Sequence, residues 1–533
     1  MNKLARYLNQ HLVGEVVVDQ AVLSHFSTDN SPLTIPPEMV AYARNTNDIR
    51  KLLRFAWQLA EKGHVLPVTA RGSGLDATGG AIGAGLIVSL TTHMNKLQEF
   101  DPKQRLIRLQ PGVTIASLQD ALLMYGLKVT ALQSADRMAT VGGSIGAARD
   151  DLWDADWVDQ LEVVLANGDL LQTKRLSKRE LNKKKGLEGF EADIYRGIDG
   201  LIEENKTLID QLDTKDATGY NAIASVKKKD GSLDLTPLFF ASQGTLGIIS
   251  EMILKADPIN DGESVVVAVF DDSAKARDAI DTIEKIDPYT VEYYDELMIQ
   301  RAQETGKAFP FLSELKSTPK AALVIRLDDQ SARARARKVR KLTKLFEQSD
   351  AVVSSTDNLD ESELASLVSL PTLAIQAEGR DEAAIPILDG IYVPRERFEE
   401  FADGVLELAS KRRVILPLYG KPLEGLWYAR PILNLKTVGG KQAVFKLIDE
   451  MNQLVVKCGG HLTGLYGEGR TQSYSTHRSI DDDIRKLYAD IKTIFDPYSV
   501  LNKGVKESID LKLTVAQLRN EYHSNHHDAL ARF

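Results

Sequence analysis

Thr69-Ala-Arg-Gly-Ser-Gly-Leu-Asp-Ala-Thr-Gly-Gly-Ala-Ile-Gly-Ala-Gly-Leu-Ile-Val-Ser-Leu90 carries six glycines within fourteen residues, at Gly72, Gly74, Gly79, Gly80, Gly83 and Gly85, between two apolar runs that read as strands. Glycine tolerates positive φ and lets main-chain N–H groups approach a ligand with no Cβ in the way, so such a loop can form an anion-binding concavity for a diphosphate. A mobile surface linker is the competing reading, and the apolar strands on both sides argue against it. Gly72-x-Gly74 lacks the third glycine of a dinucleotide-fold turn, and no Gly-Lys-Ser/Thr follows as in a P-loop. A nucleotide can bind here, on neither a Rossmann nor a Walker turn.

Working outward, a second glycine turn falls at Thr140-Val-Gly-Gly-Ser-Ile-Gly-Ala-Ala148 and a third at Gln243-Gly-Thr-Leu-Gly-Ile-Ile-Ser-Glu251. Three separated places of close main-chain approach suggest one long ligand. Between them, Gln110 to Leu122 reads as a turn leading into an amphipathic helix. Leu161 to Leu171 reads as two strands joined at Asn167-Gly168.

Six motifs in order carry a resemblance: Pro36-Pro-Glu-Met-Val-Ala-Tyr-Ala-Arg-Asn-Thr-Asn-Asp-Ile49, Thr69-Ala-Arg-Gly-Ser-Gly74, Gln110-Pro-Gly-Val113, Thr140-Val-Gly-Gly-Ser144, Gly244-Thr-Leu-Gly-Ile-Ile249 and Phe495-Asp-Pro-Tyr-Ser-Val-Leu-Asn502. Over roughly residues 20 to 506 the chain resembles the FAD-linked oxidases of the vanillyl-alcohol oxidase type, in the branch of D-lactate dehydrogenases and glycolate oxidase subunits. That resemblance implies an α+β fold. A PCMH-type, two-subdomain FAD-binding domain would occupy 1–257, a ferredoxin-like α+β cap with an antiparallel sheet 258–480, and a segment returning to the FAD 481–533.

The resemblance also implies site residues. Arg71, Gly72, Ser73, Gly74 and Leu75 would cradle the FAD diphosphate. Thr140, Val141, Gly142, Gly143 and Ser144 would pass beside the diphosphate and flavin ring. Gly244, Thr245, Gly247, Ile248 and Ile249 would flank the adenosine end, and Asn502 would return to the flavin from the C-terminal tail. Some relatives tether flavin through a histidine in the first loop. Gly72-Ser-Gly-Leu-Asp76 contains none, so the FAD is expected to be non-covalent. His64 and His93, near in sequence, read as surface or packing histidines.

Composition sets limits. The 533 residues are 43% apolar and 26% charged, enough to bury two substantial cores. The formal charge is −9 with both signs mixed along the chain, which does not indicate a nucleic-acid interface. The single cysteine, Cys458, excludes an intramolecular disulfide or a cysteine-ligated iron–sulfur cluster within the chain. Electrons must therefore leave by a quinone, a carrier protein or oxygen. Met1 to Val13 reads as an amphipathic helix with leucines at 4, 8 and 12 and without signal-peptide character. With no run of eighteen apolar residues, the expected location is cytoplasmic, with peripheral association at the inner face of the membrane and a homo-oligomer both left open.

Past Pro258 the rhythm becomes strand-helix-strand, then strand-helix, at Ser264–Phe270, Asp272–Ile283, Thr290–Tyr294, Ala321–Arg326 and Ser331–Phe346. This reads as α+β with an antiparallel sheet. The Arg/Lys run from Arg333 to Lys344 reads as a solvated helix face over Val339, Leu342 and Leu345. Lys183-Lys-Lys185 and Lys227-Lys-Lys229 read as loop charges.

In the lactate and glycolate branch one cap strand carries Gly-His-x-Gly-Asp-Gly-Asn-x-His and a later turn Gly-Glu-His-Gly, whose histidines and glutamate hold a divalent metal or move protons. The matching stretches here are Tyr419-Gly-Lys-Pro-Leu-Glu-Gly-Leu-Trp-Tyr-Ala-Arg430 and Gly459-Gly-His-Leu-Thr-Gly-Leu-Tyr-Gly-Glu-Gly-Arg470. Lys421 and Tyr428 stand at the histidines, and Leu465 and Tyr466 at the glutamate and histidine. That set cannot hold a hard metal, so none is expected. Proton transfer is assigned to Tyr466 or Glu468, with Arg430, Arg470 and Lys421 as anion clamps. His461 is a weaker base candidate, and His523, His526 and His527 read as solvated tail histidines. A second departure is Arg149-Asp-Asp-Leu-Trp-Asp-Ala-Asp-Trp-Val158, where relatives have a longer glycine-containing loop. Trp153 and Trp157 are there as stacking or core residues alike.

The favoured function is dehydrogenation of a small 2-hydroxy acid (D-lactate- or glycolate-like) or related alcohol by hydride transfer to flavin N5. A FAD-binding protein with a degenerate active site, serving as scaffold or sensor, is the alternative.

Overall fold

Strands β1 (Glu15–Val17) and β2 (Met39–Tyr42) pair antiparallel, and β2 and β3 (Val68–Arg71) both flank β4 (Leu86–Ser89) in parallel. The structure is a computed structural model describing residues 3–132, 136–148, 155–260, 262–305, 318–356, 370–371, 374, 381–507 and 510–523. Parallel neighbours are ordinarily joined by a helix. Here β3 passes to β4 through the glycine loop alone, so the loop leaves at Arg71, paired with Ser89, and returns at Leu86, paired with Val68 at the other end of the ladder. β2 and β4 are buried at every residue, as their apolar sequences require, with Ser89 the polar residue at the end of β4. The helix Thr46–Glu61 covers the sheet because Asn45 caps it, its side chain accepting from Asp48 N–H, and because Ile49, Leu52, Leu53, Ala56 and Ala60 recur at helical spacing and are buried. The amphipathic N-terminal segment forms the helix Lys3–Asn9, with Ala5 and Leu8 in the same core.

The chain divides into two compact units, Met1–Pro258 with Leu465–Arg519, and Ile259–Gly464 with Asn520–Tyr522. In the first unit a further antiparallel sheet follows, with β5 (Leu97–Asp101), β6 (Leu106–Leu109), β8 (Val158–Val164), β9 (Leu170–Gln172) and β10 (Ile248–Lys255) in the order β5-β6-β10-β8-β9. Between β6 and β8, β7 (Leu127–Lys128) pairs with β11 (Asp257–Pro258). The β8–β9 hairpin turns at Asn167-Gly168, where Gly168 has φ +83° and its N–H donates to Leu165 O. This sheet packs into a large core with Ile115, Leu118 and Leu122 of the expected helix Ile115–Leu123, and with Leu487, Ile491 and Phe495 of the helix Asp482–Phe495. A core leucine of this kind contributes roughly 2 kcal/mol.

Two expectations are corrected here. Thr140 to Ala148 is not a turn but the helix Val141–Ala147, which Thr140 initiates by accepting from Gly143 N–H through Oγ1. Of the two lysine triplets, Lys227-Lys-Lys229 lies in a loop as expected, whereas the first does not. Lys183, Lys184 and Lys185 form the last turn of the helix Lys178–Lys185, where cations complement the helix dipole. Lys185 and Lys227 both bond Asp199, Lys227 at 2.5 Å. Burial alone would raise the Asp199 carboxyl, but the two ammonium groups hold it below its ordinary range.

The second unit is built on a seven-stranded antiparallel sheet of β12 (Ser264–Phe270), β13 (Thr290–Asp295), β14 (Ala321–Leu327), β15 (Val352–Ser355), β17 (Leu388–Tyr392), β18 (Leu418–Lys421) and β19 (Leu426–Ala429). Their order is β15-β12-β14-β13-β18-β19-β17. A small ribbon joins β16 (Ala383–Ala384) to β20 (Ile432–Leu433). The helices Ser273–Glu284 and Ala332–Glu347 pack on the sheet, with Phe346 edge-on to Phe270 at 5.9 Å. The basic helix buries Val339, Leu342 and Phe346, and also Arg335, whose guanidinium donates to Asp329 O. No described helix is long and apolar enough to cross a membrane.

Candidate active site

The glycine loop forms one wall of a cavity of about 900 Å³ inside the first unit. Gly72, Ser73, Gly74 and Leu75 face it, as do Thr140, Gly142 and Gly143 from the helix start, and Gly244, Gly247, Ile248 and Ile249 from the segment entering β10. Three stretches that the sequence separates by sixty to a hundred residues thus converge on one space. The glycines are there for packing reasons. A Cβ on Gly72 would lie 2.2 Å from Thr140 Oγ1, one on Gly142 2.6 Å from Pro111 Cβ, and Gly74 has φ +70°.

Five of the expected cofactor residues, Arg71, Val141, Ser144, Thr245 and Asn502, do not face the cavity. Arg71 points away, over the Phe26 ring at 5.0 Å, and donates to Thr28 O and Ala81 O. Asn502 is a rivet behind the loop. Its Nδ2 donates to Gly80 O at 2.7 Å and Gln243 O at 2.6 Å, and its Oδ1 accepts from Thr69 Oγ1 and Arg470 Nη2. Arg470 donates to Gly79 O at 2.5 Å and Lys503 O at 2.7 Å, so its fork is spent on main-chain oxygens. Burial, only partly opposed by Asp29 and Asp76, lowers this guanidinium to about 10, which leaves it charged at neutral pH.

Gln243 completes the lock. Its Nε2 donates to Thr78 Oγ1 and its Oε1 accepts from Gly469 N–H, tying the glycine loop to the turn that follows Tyr466. Asp76 is the charged side chain on the cavity wall, and its Oδ1 accepts from Thr78 N–H, Thr78 Oγ1 and Gly80 N–H. Behind it, burial first and the charge of Asp76 second push the Asp29 carboxyl up to about 6.

Tyr466 faces the cavity, and it does so in the left-handed region at φ +71°. A bulky residue is rarely held there without an external constraint. Glu468, two residues on, is fully buried. Its carboxylate accepts from Lys506 Nζ at 2.7 Å and Gly219 N–H at 3.1 Å, and pairs with His477 Nε2 at 3.2 Å. Burial would raise this carboxyl, but Lys506 and His477 bring it down to about 2. Glu468 is thus a fixed anion two residues from Tyr466. Lys506, His477 and Gln243 were not singled out from sequence, because nothing in their spacing marks them as partners of Glu468 or of the loop.

Lys421 and Arg430 lie in the second unit. Paired register positions place Tyr294, Tyr419, Tyr428 and Asp389 in one row across β13, β18, β19 and β17. Tyr419 stacks on Tyr428 at 4.9 Å and 14°. Lys421 opposes Leu426, two positions along from that row and therefore on the same face. Arg430 grips Asp389 in a fork, Nε at 2.9 Å and Nη2 at 2.6 Å from Oδ2. Burial works against its charge, but Asp389 outweighs it and raises the guanidinium above its ordinary range. His461 exchanges main-chain hydrogen bonds with Tyr392 and stacks on its ring. Leu465 is buried. Trp157 packs edge-on to Phe240 in the first unit's core rather than on the cavity wall, whereas Trp153, His526 and His527 lie outside the described residues. Among the described residues no group of three or more His, Cys, Asp or Glu is placed to hold a metal.

Two family profiles match the chain in tandem, one described as FAD binding domain over residues 37–174 and one as FAD linked oxidases, C-terminal domain, over 260–505. The glycolate oxidase subunit GlcD of Bacillus subtilis is 25% identical, over 91% of this chain and 92% of its own. A D-2-hydroxyglutarate dehydrogenase of Pantoea ananatis is 24% identical over 93% of this chain, which spans about half (50%) of that longer protein. Among solved structures, 4-ethylphenol oxidase from Gulosibacter chungangensis superposes with a TM-score of 0.67 at 14% identity, covering 96% of this chain and 97% of its own.

Proposed function

This chain belongs to the FAD-linked oxidases, and we propose that it dehydrogenates a small 2-hydroxy acid of the glycolate or D-lactate kind to the 2-oxo acid. The observation that carries this reading is Tyr466, held in a left-handed turn on the wall of the glycine-lined cavity. The wall suits FAD. It offers main-chain N–H groups from the 72–75 loop, the hydroxyls of Ser73 and Thr140, apolar Leu75, Ile248 and Ile249, and, among the described residues, no Lys or Arg side chain. A diphosphate on such a wall is held by amide dipoles. Among the described residues no histidine or cysteine is on the wall either, which supports a non-covalent coenzyme. Bound FAD supplies the two-electron acceptor.

The chain's own residues then divide the work. Tyr466, in its phenolate form, takes the hydroxyl proton of the substrate and becomes the neutral phenol. Glu468, ionised and immobile, acts as a positioning residue for the Tyr466 turn. Arg470, Asn502 and Gln243 keep the glycine loop in shape. In the second unit Arg430, already joined to Asp389, orders the sheet face on which Lys421 lies. Reoxidation falls to a quinone, a carrier protein or oxygen, and neither the acceptor nor an oligomeric state is assigned.

The test is anaerobic mixing of the FAD-loaded chain with glycolate, D-lactate, L-lactate and D-2-hydroxyglutarate. Bleaching of the flavin band by a D-acid or by glycolate is the expected result. Bleaching by none would favour the scaffold or sensor reading, for which the internal pairing of Arg430, Arg470 and Glu468 is the supporting observation.

A further inference from the structure

Behind the glycine-lined cavity, in the same unit, lies a second one of about 1500 Å³. The two are back to back. Ala147 faces the first and Ala148 the second, and likewise Ser242 the first and Ala241 the second. The partition is therefore one main chain thick, stitched by Ala241 N–H to Ile145 O at 3.1 Å and Gln243 N–H to Gly146 O at 2.7 Å. Ala148 and Ala241 both adopt positive φ, +45° and +54°, each disfavoured by roughly 1 kcal/mol for a residue with a Cβ.

The lining of the second cavity separates charge. Its buried and half-buried polar groups are acceptor-rich: the carboxylates of Asp216 and Asp234, with Asn221 and Thr236 beside them. Its exposed rim carries Lys174, Lys228 and Lys255 against Asp156 and Asp159, and Arg175 is already bonded to Asp230 and Ser232. Ala148, Ala222, Pro237 and Phe240 supply apolar lining. A simple anion would meet buried carboxylates, and a simple cation would leave the lysines unused. Burying an unpaired charge is strongly unfavourable in both cases. A ligand with an ammonium at one end, a carboxylate at the other and an apolar body satisfies the whole lining.

We propose that this cavity binds a free amino acid with an apolar side chain, its ammonium toward Asp216 and Asp234 and its carboxylate toward the lysine rim, and that occupancy is felt at Tyr466. The route for the coupling is short. Gly219 and Ala217 line this cavity. Gly219 N–H donates to Glu468, and Lys506 bridges Glu468 to Ala217 O at 2.7 and 2.8 Å. Glu468 sets the turn that presents Tyr466 to the other cavity.

The test is calorimetric titration of the FAD-loaded full chain with L-phenylalanine, 2-phenylethylamine and 3-phenylpropanoate, with the flavin absorption band followed in parallel. Saturable binding of L-phenylalanine with a shift of the band is expected, each single-charge analogue binding about tenfold or more weakly. Asp234→Asn keeps the acceptor for Thr236 N–H and should weaken L-phenylalanine about tenfold. Ala222→Trp, which places an indole in the cavity, should weaken binding at least tenfold, and the isosteric Asp234→Asn keeps the test valid if the larger change does not fold. No saturable heat, equal binding of 3-phenylpropanoate, or unaltered affinity in Asp234→Asn would overturn the site. An unmoved flavin band at saturation would overturn the coupling. None of these outcomes alters whether hydroxy acids bleach the flavin.

Discussion

Asn502 Nδ2 lies 2.6 Å from the main-chain oxygen of Gln243, 259 residues earlier in the chain. With its second bond to Gly80 O, this one carboxamide joins two of the segments that wall the cofactor cavity. The residue that resemblance places against the flavin does its observable work as a brace.

Asn502→Ala should therefore act through the loop. It leaves two buried carbonyl oxygens and the Thr69 hydroxyl without this partner, a loss of about 2–4 kcal/mol. The expected outcome is a lower urea midpoint together with at least tenfold weaker FAD retention, read by flavin absorbance after gel filtration. Weakened FAD binding with an unchanged midpoint would point to direct contact instead.

Gly72→Ala separates cofactor binding from folding. The new methyl group meets Thr140 Oγ1 at 2.2 Å, so the loop must move away from the start of the helix Val141–Ala147. We expect a folded, colourless protein. A second change, Thr140→Ser, removes only the methyl and should not restore colour, whereas Thr140→Ala removes the blocking oxygen and should restore part of it.

Tyr466→Phe keeps the ring and removes the hydroxyl. Flavin bleaching by the active hydroxy acid should slow by about 10²–10⁴-fold with little change in FAD content. Tyr466→Gly relieves about 1 kcal/mol of strain at φ +71° but deletes a buried ring, so it should lower stability by roughly 2–4 kcal/mol and abolish bleaching. Full activity in the phenylalanine variant would remove tyrosine from the proton path.

Acid stability follows from two carboxyls with opposite shifts. Glu468, at about 2 against an ordinary 4.5, contributes stability that is complete above pH 4.5 and is lost as pH falls toward 2. Asp29, at about 6 against 3.8, does the reverse: the folded state holds its proton more tightly, so its contribution is most favourable below 3.8 and fades as pH rises through 6. Glu468→Gln should flatten the acid limb and lower stability at neutral pH by about 3 kcal/mol, since Lys506 is left buried beside a neutral amide. Asp29→Asn should gain stability relative to the wild type above pH 6 and lose that advantage near pH 4. Chemical denaturation at several pH values measures both.

Much of this architecture is legible in the sequence, because it is written in local patterns. The apolar run of β4, the helical spacing of Ile49, Leu52, Leu53 and Ala56, and the strand Ser264–Phe270 each declare their element within a few residues. The glycines between β3 and β4 mark the cavity wall for the same reason: a missing Cβ is visible one residue at a time. Thr140-Val-Gly-Gly reads as a turn and folds as a helix, because the capping hydroxyl of Thr140 and the packing on Pro111 override the poor helix propensity of glycine. The partners of Glu468, Arg470 and Arg430 are not legible at all. A charged residue looks available in a sequence until its neighbour is found, and Lys506, Gly79 and Asp389 stand 38, 391 and 41 residues away.

Those separations carry a consequence for biosynthesis. The brace that steadies the glycine loop comes from residue 502, 433 positions after its partner Thr69. A nascent chain emerging from the ribosome can assemble β1 to β4 early, yet it has no means of gripping its coenzyme until translation is almost finished. Flavin loading is thereby deferred to a nearly completed polypeptide, and truncated translation products stay apo.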